Sequence, residues 1–153
     1  MTNHPVAQLE QWIRVIPNKL KAFPEESMVH PRAVGKWSNL QILGHLCDSA
    51  INNLTRFIQV QYAPEPMHII PYDQDKWVAA QRYSDVTVEE VISLWVSLNH
   101  SLVRVLTSLP ADLPASRAII LPSGEQQSVE WLITDYVEHM KHHLNQIYAE
   151  LVE

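Results

Sequence analysis

The stretch SNLQILGHLCDSAINNLTRFIQVQY, residues 38–62, predicts a helix long enough to cross a whole domain. Ser38 and Gln41 form a Ser-x-x-Gln capping box at its start, and Pro64 and Pro66 follow its end. About 24 residues of helix span about 36 Å. Apolar residues recur at helical spacing on one face: Leu40, Leu43, Leu46, Ala50, Leu54 and Phe57. A long helix with one such face is typical of a helix bundle.

Three further segments carry apolar residues at helical spacing, and prolines separate them. One runs from about Pro5 to Phe23, one from Thr87 to just before Pro110, and one from Ser128 to the C-terminus. A chain of this length most simply forms one domain around one core. The sequence therefore predicts an all-α protein, an antiparallel four-helix bundle, as a single domain over residues 1–153.

The connections between the long helices carry weaker signals. Asp73 precedes DKWV in a pattern that predicts a short extra helix between the second and third long helices. Residues 117–125, RAIILPSGE, predict an extended segment with a turn before the last helix. Residues 24–31, between two prolines, are predicted to be a loop.

The charge of the chain excludes several classes of function. Its 153 residues carry 11 lysines and arginines against 17 aspartates and glutamates, a formal net charge of −6. A chain this acidic lacks the basic surface that neutralises a phosphate backbone, so no nucleic acid partner is expected. No apolar run approaches the roughly 20 residues that cross a bilayer, and the N-terminus shows no signal-peptide pattern. We expect a cytoplasmic protein without a membrane partner.

The polar face of the second long helix has an unusual composition. Solvated helix faces are usually built from Lys and Glu, yet neither occurs from Gln41 to Tyr62. Short, orientable groups and one arginine replace them: His45, Asp48, Ser49, Asn52 and Arg56. This composition favours the lining of a pocket over a face that meets water. Arg56 would either bind an anionic substrate group or form a structural ion pair, and both remain open.

The last helix contains EHMKHHLNQ, residues 138–146. Residues four apart lie about 40° apart around a helix, so His139 and His143 face the same way while His142 is offset. Asp135 and Gln146 lie on the same arc as the pair. A histidine pair at this spacing can share a metal ion, or it can simply face solvent, and the pair alone does not decide between these two interpretations.

A third histidine, on another helix, favours the metal-binding interpretation over the solvent-exposed one. His45 together with His139 and His143 would form an open metal site whose remaining position takes water or substrate. Cys47 is the only cysteine, which excludes a closed thiolate site, and its place beside the apolar face predicts a buried hydrophobe rather than a nucleophile. Imidazole ligands suit Zn, Ni, Cu and Fe alike. We expect the following residues to hydrogen-bond the ligands or bound solvent: Asp48, Asn52, Asp135 and Gln146.

Residues 37–57, WSNLQILGHLCDSAINNLTRF, followed by residues 131–147, WLITDYVEHMKHHLNQI, resemble the DinB-like superfamily and its YfiT-like branch. The resemblance implies a four-helix bundle whose metal ligands are His45, His139 and His143, with zinc or nickel as the metal. It also implies a homodimer and an enzyme that transfers a low-molecular-weight thiol, such as bacillithiol or mycothiol, to a small electrophile.

Three functions follow as hypotheses. In a metal-dependent S-transferase, the metal prepares the thiolate, Asp48 or a metal-bound water accepts its proton, and Arg56 holds an acidic group of a small-molecule substrate. In a metal-dependent hydrolase, water replaces the thiol. In a noncatalytic metal-binding module, the ion only stabilises the bundle or senses metal.

Overall fold

The structure is a computed structural model that describes residues 4–148. Its helices are α1 Pro5–Lys21, α2 Glu25–Val29, α3 Asn39–Gln59, α4 Gln74–Gln81, α5 Val88–Thr107, α6 Leu113–Ser116 and α7 Val129–Ile147. The predicted all-α four-helix bundle is confirmed, because α1, α3, α5 and α7 pack around one core. None of the helices within residues 4–148 combines the length and apolar content that crossing a membrane requires.

The predicted helix starts are confirmed by their caps. The Ser38 hydroxyl accepts from the Gln41 backbone N–H at 3.1 Å, and the Gln41 side chain accepts from the Ser38 N–H at 2.9 Å, a complete capping box. The side chains of Asp73, Thr87 and Ser128 cap α4, α5 and α7, each by accepting one backbone N–H bond without the reciprocal bond of a capping box. Four helix starts are thus encoded locally, each by one oxygen that satisfies a free backbone donor.

The predicted helix ends are less accurate. α3 ends at Gln59 rather than Tyr62, since the residue before Pro64 is driven out of the helical conformation and the chain unwinds ahead of it. α1 ends at Lys21 rather than Phe23. α7 ends at Ile147, and the predicted continuation over residues 149–153 lies outside the described residues.

Two connections differ from the prediction. The loop predicted for residues 24–31 contains α2, which forms because it buries Met28 completely in the core. The extended segment is β2, Ala118–Ile120, which pairs antiparallel with β3, Gln126–Ser128. Its parallel pairing with β1, Met67–His68, comes from a distant part of the chain and was not predicted.

The helices α3 and α7 run antiparallel. His45 in the first half of α3 meets His139 late in α7, at 3.2 Å between their Nε2 atoms. Near the end of α3, Phe57 instead packs edge-on against Tyr136, which lies earlier on α7. The Tyr136 hydroxyl also donates to Asn99 Oδ1 of α5 at 2.6 Å, so the end of α3 lies beside the middle of α5.

The helices α3 and α5, by contrast, run parallel. The Cys47 thiol on α3 contacts the Val91 carbonyl near the start of α5 at 3.8 Å. α1 runs antiparallel to α5, because Val6 at its start and Leu106 at the end of α5 line the same surface pocket. Because α3 and α5 are parallel, residues 60–87 must run back along the bundle from the end of α3 to the start of α5. That crossover carries β1 and α4 over one side of α3.

Candidate metal centre

The structure brings the three predicted histidines together. His45 of α3 is fully buried, while His139 and His143 of α7 are half-buried. The Nε2 atom of His139 lies 3.2 Å from that of His45 and 3.1 Å from that of His143. A potential ligand atom of each residue lies within 4.8 Å of the other two. We call these three residues the histidine cluster.

The spacing within the histidine cluster fits one metal ion. Tetrahedral coordination with metal–nitrogen bonds of about 2.0–2.1 Å sets ligand nitrogens about 3.3–3.4 Å apart, close to the observed 3.1 and 3.2 Å. Burial lowers the pKa of His45 to about 3 and that of His139 to about 4, and it also lowers the pKa of His143. The rings are therefore neutral at pH 7, which is the form that binds metal.

Gln146 hydrogen-bonds one histidine of the cluster, as its position on the same arc of the helix predicted. Its Oε1 lies 2.8 Å from Nδ1 of His143, and because an amide oxygen only accepts, Nδ1 carries the proton. That tautomer leaves the lone pair on Nε2, facing the cluster. His142 lies outside the cluster on the exposed rim, with its Nε2 3.4 Å from the Gln146 amide nitrogen.

Asp48 is fully buried but does not hydrogen-bond a histidine. Its Oδ1 accepts from the Tyr83 hydroxyl at 2.7 Å and from Gln81 Nε2 at 2.9 Å. In the part of the chain that the structure describes, its Oδ2 and Nδ1 of His45 are buried without partners. Burial raises the pKa of the Asp48 carboxyl, although its two donors act against that change. Asn52 donates to the Asp48 backbone carbonyl at 2.9 Å, and within residues 4–148 neither residue hydrogen-bonds one of the three histidines, so their predicted contact with bound solvent stays a prediction.

The sequence alone did not reveal Tyr83, Gln81 or Trp37. Tyr83 and Gln81 reach Asp48 from the far end of the crossover, which no local periodicity signals. The Trp37 ring lies 5.1 Å from the His45 ring, between centroids. In the sequence, only the position of Trp37 just before the capping Ser38 indicated this contact, since a large apolar residue there often packs on the first turns of the helix.

Two pockets flank the histidine cluster along α3 and α7. The Arg32 pocket has a volume of about 580 Å³ and touches Ile42, before His45 on α3, and Gln146, after His143 on α7. The Arg56 pocket has a volume of about 410 Å³ and touches Asp135, before His139 on α7. Because the two helices are antiparallel, the pockets lie on opposite sides of the cluster.

Arg56 and Asp135 line one pocket without forming an ion pair. Within residues 4–148, no carboxylate oxygen lies within 4.0 Å of an Arg56 side-chain nitrogen. Asp135 is exposed, and it was predicted to contact the ligands, yet it makes no hydrogen bond to a histidine among the described residues. The structural ion pair proposed for Arg56 is therefore not formed, which leaves the anion-binding interpretation.

Cys47 is buried against α5, as predicted. Burial, reinforced by the charge of Asp48, raises the pKa of the Cys47 thiol far above its usual range. A thiol that stays protonated and has no access to solvent is not a nucleophile. Any thiol nucleophile at this centre would therefore come from a bound molecule.

The lowered histidine pKa values predict an acid-sensitive metal-free protein. Unfolded histidines titrate near pH 6.5, whereas His45 and His139 in the folded chain take up protons only near 3 and 4. Between these values the unfolded state binds more protons, so stability present above pH 6.5 is lost as the pH falls, by about 1.4 kcal/mol per pH unit for each histidine. Urea unfolding of chelator-treated protein from pH 7 to 4.5 measures this slope.

The variant His139→Gln is the control for this prediction. It should remove about half of the slope, because one of the two strongly shifted groups is gone. Carboxyl groups such as Asp48, whose raised pKa acts in the opposite direction, contribute equally to both proteins and cancel in the comparison. Identical slopes for the two proteins would contradict the assignment of the acid sensitivity to the histidine cluster.

The fold and the site together define a class of protein: a four-helix bundle that carries an open three-histidine centre of the kind that binds a divalent metal ion. The chain belongs to the DinB superfamily, whose sequence profile matches residues 8–147.

Similar proteins support the metal centre. The chain is 30% identical over 143 residues to a Bacillus mycoides protein that is named provisionally as a metal-dependent hydrolase. The matched region covers 88% of this chain and 80% of that protein. A similarly named Oceanobacillus iheyensis protein is 27% identical over 146 residues, covering 95% and 83%. The three-histidine cluster and these relatives imply a divalent metal.

Solved structures are similar as well. YfiT from Bacillus subtilis, described as a probable metal-dependent hydrolase with an unusual four-helix bundle topology, matches with a TM-score of 0.74 at 26% identity, over 94% of this chain and 85% of its own. A mycothiol-dependent maleylpyruvate isomerase matches with a TM-score of 0.70 at 13% identity, over 91% of this chain and 57% of its own. At that identity the second likeness shows the shared fold alone.

Proposed function

We propose that this protein is a metal-dependent S-transferase that joins a low-molecular-weight thiol to a small electrophile. One observation carries the proposal: an open three-histidine centre lies between two separate pockets in a chain whose own cysteine is inert. Two pockets suit a reaction of two organic molecules, whereas hydrolysis needs room for one molecule and water. Gln74, at the start of α4, lines both pockets and so marks where the two molecules would meet.

His45, His139 and His143 would hold the ion, for which zinc or nickel is our proposal. When bound, a divalent ion supplies positive charge that stabilises a thiolate at neutral pH. Asp48 is the proton acceptor in this proposal, because its Oδ2 is free and its raised pKa makes it a stronger base than an ordinary carboxylate. The thiol loses its proton to Asp48, sulfur bonds to the electrophilic carbon, and the displaced group leaves with its electron pair.

The cations of the Arg32 pocket suit the thiol. Arg32 and Lys36 line it together with one acidic residue, Asp75, so cations outnumber carboxylates there in a chain of net charge −6. Gln146, which hydrogen-bonds His143, lines the same pocket. A thiol that carries acidic groups would be attracted there and would direct its sulfur toward the histidines.

The proposal is tested by a screen of thiols against electrophiles. Protein loaded with zinc or nickel is mixed with bacillithiol, mycothiol, glutathione or coenzyme A and with a chromogenic chloronitrobenzene. We expect one thiol to be consumed in equal amount with the electrophile, His139→Ala to fall to the uncatalysed rate, and His142→Ala to keep its activity. No thiol consumption across this set with either metal would overturn the proposal.

A hydrolase is the second candidate, because the relatives at 26–30% identity carry that description. Product formation by the metal-loaded protein without any thiol would favour it. A noncatalytic metal-binding module predicts chelator-sensitive stability without turnover under any condition. A homodimer, a cytoplasmic location and the absence of nucleic-acid and membrane partners stay predictions from the sequence.

A further inference from the structure

The Arg56 pocket is lined by both charged and apolar side chains. Its apolar wall is formed by residues of the crossover, the β2 end and α7, among them Ile69, Leu121 and Leu132. Arg56, on α3, also lines the pocket. A volume of about 410 Å³ falls within the range of small-molecule sites. The pocket therefore has a size and a mixture of charged and apolar lining residues that suit an amphipathic small molecule.

Arg56 carries an incompletely paired positive charge. It is half-buried, and its Nη2 donates to the Ile70 carbonyl at 2.8 Å while its Nη1 lies 3.4 Å from Asn53 Oδ1. The guanidinium also stands over the Tyr72 ring, 5.8 Å from its centroid. Within the described residues, two of its five N–H donors are thus used, both on neutral oxygens. A partly desolvated charge without an ion pair is costly, and an anion in the pocket would offset that cost.

The pocket lies within reach of the metal centre. Asp135, which lines it, is one turn before His139 on α7, a distance of about 6 Å along the helix. Leu132 lies nearly one turn further away. A molecule anchored at Arg56 can therefore extend along α7 toward the histidine cluster. Asp135 itself is exposed at the rim, where its charge opposes an incoming anion.

We propose that the Arg56 pocket binds the carboxylate of a small organic acid whose apolar body lies against Ile69, Leu121 and Leu132. This inference rests on the proposed function in that the acid is taken to be the electrophilic substrate. Arg56 fixes the carboxylate, the apolar wall fixes the body, and the reactive carbon points to the cluster. Neutral electrophiles of the same shape would bind weakly because they leave the guanidinium unpaired.

The test uses hydrocinnamate and its neutral amide as probes on chelator-treated protein, so that neither metal nor turnover enters the result. Affinity is measured by calorimetry, and the indole N–H signal of Trp131, which lines the pocket, reports the place of binding by NMR, with Trp131→Phe to assign the signal. We expect the carboxylate to bind at least about tenfold more tightly than the amide, a factor typical of one charge-assisted pair.

Four variants test whether the preference for the carboxylate depends on the charges that line the pocket. Arg56→Gln should abolish the preference for the carboxylate, Asp135→Asn should increase it a few-fold, and Arg32→Gln in the other pocket should leave it unchanged. Arg56→Lys keeps the charge and should retain part of the preference, which provides the comparison if Arg56→Gln does not fold. Equal binding of the two probes, or an equal loss in Arg32→Gln, would overturn the inference. Probe binding without thiol turnover would overturn only the proposed function.

Discussion

The variant His139→Ala should lose its metal while the wild-type protein holds about one ion per chain. His139 is the central residue of the histidine cluster, because its Nε2 lies 3.1–3.2 Å from the Nε2 atoms of both other histidines. Losing even an outer hydrogen-bond partner of a ligand typically weakens metal affinity 10–100-fold, and losing the ligand itself should exceed that range. We expect a metal content below about 0.1 per chain after dialysis, measured by elemental analysis.

The same variant should lose the stabilisation that metal provides. An ion present at about 1,000 times its dissociation constant stabilises a fold by about 4 kcal/mol, so a chelator should lower the melting temperature of the wild type and leave that of His139→Ala unchanged. The matched control is His142→Ala, which removes an exposed histidine three residues further along the same helix. Equal metal content in the three proteins would show that the histidine cluster is not the metal site.

The variant Gly44→Ala should destabilise the bundle by roughly 2–3 kcal/mol, at the upper end of overpacking effects. A Cβ at position 44 would overlap the ring of Tyr83, which lies directly on the α3 backbone at this point. The ring is buried and its hydroxyl holds Asp48. Displacing it would break that hydrogen bond and leave a buried carboxyl with one donor fewer. An alanine inside an unobstructed helix would instead stabilise it by about 1 kcal/mol.

A double-mutant cycle separates the overlap from other effects of the substitution. Gly44→Ala is made in the wild type and in Tyr83→Ala, and the free energy of unfolding is measured with urea. Without the ring, the same alanine should be neutral or stabilising by up to about 1 kcal/mol, so the coupling between the two positions should be about 3 kcal/mol. Equal destabilisation in both backgrounds would mean that the Tyr83 ring is not the cause.

Local sequence determined the long helices and the ligands of the candidate metal centre. The caps at Ser38, Thr87 and Ser128 act within one turn, and helical periodicity depends only on the chain itself. The spacing of His139 and His143 places both side chains on one face of any helix that contains them. For this reason the histidine cluster could be predicted before the structure was known, and the structure brings its members together.

Only the tertiary structure decided what surrounds the cluster. Asp48 was predicted to hydrogen-bond a ligand histidine or bound solvent, and the structure shows Tyr83 and Gln81 donating to it from a crossover about 35 residues away. Sequence periodicity carries no information on such contacts. Arg56 and Asp135 line the same pocket, yet among residues 4–148 Arg56 forms no ion pair, which depends on how α3 and α7 are spaced. Residue types and helical phase fix which groups face the site, whereas the distances between helices fix which of those groups touch.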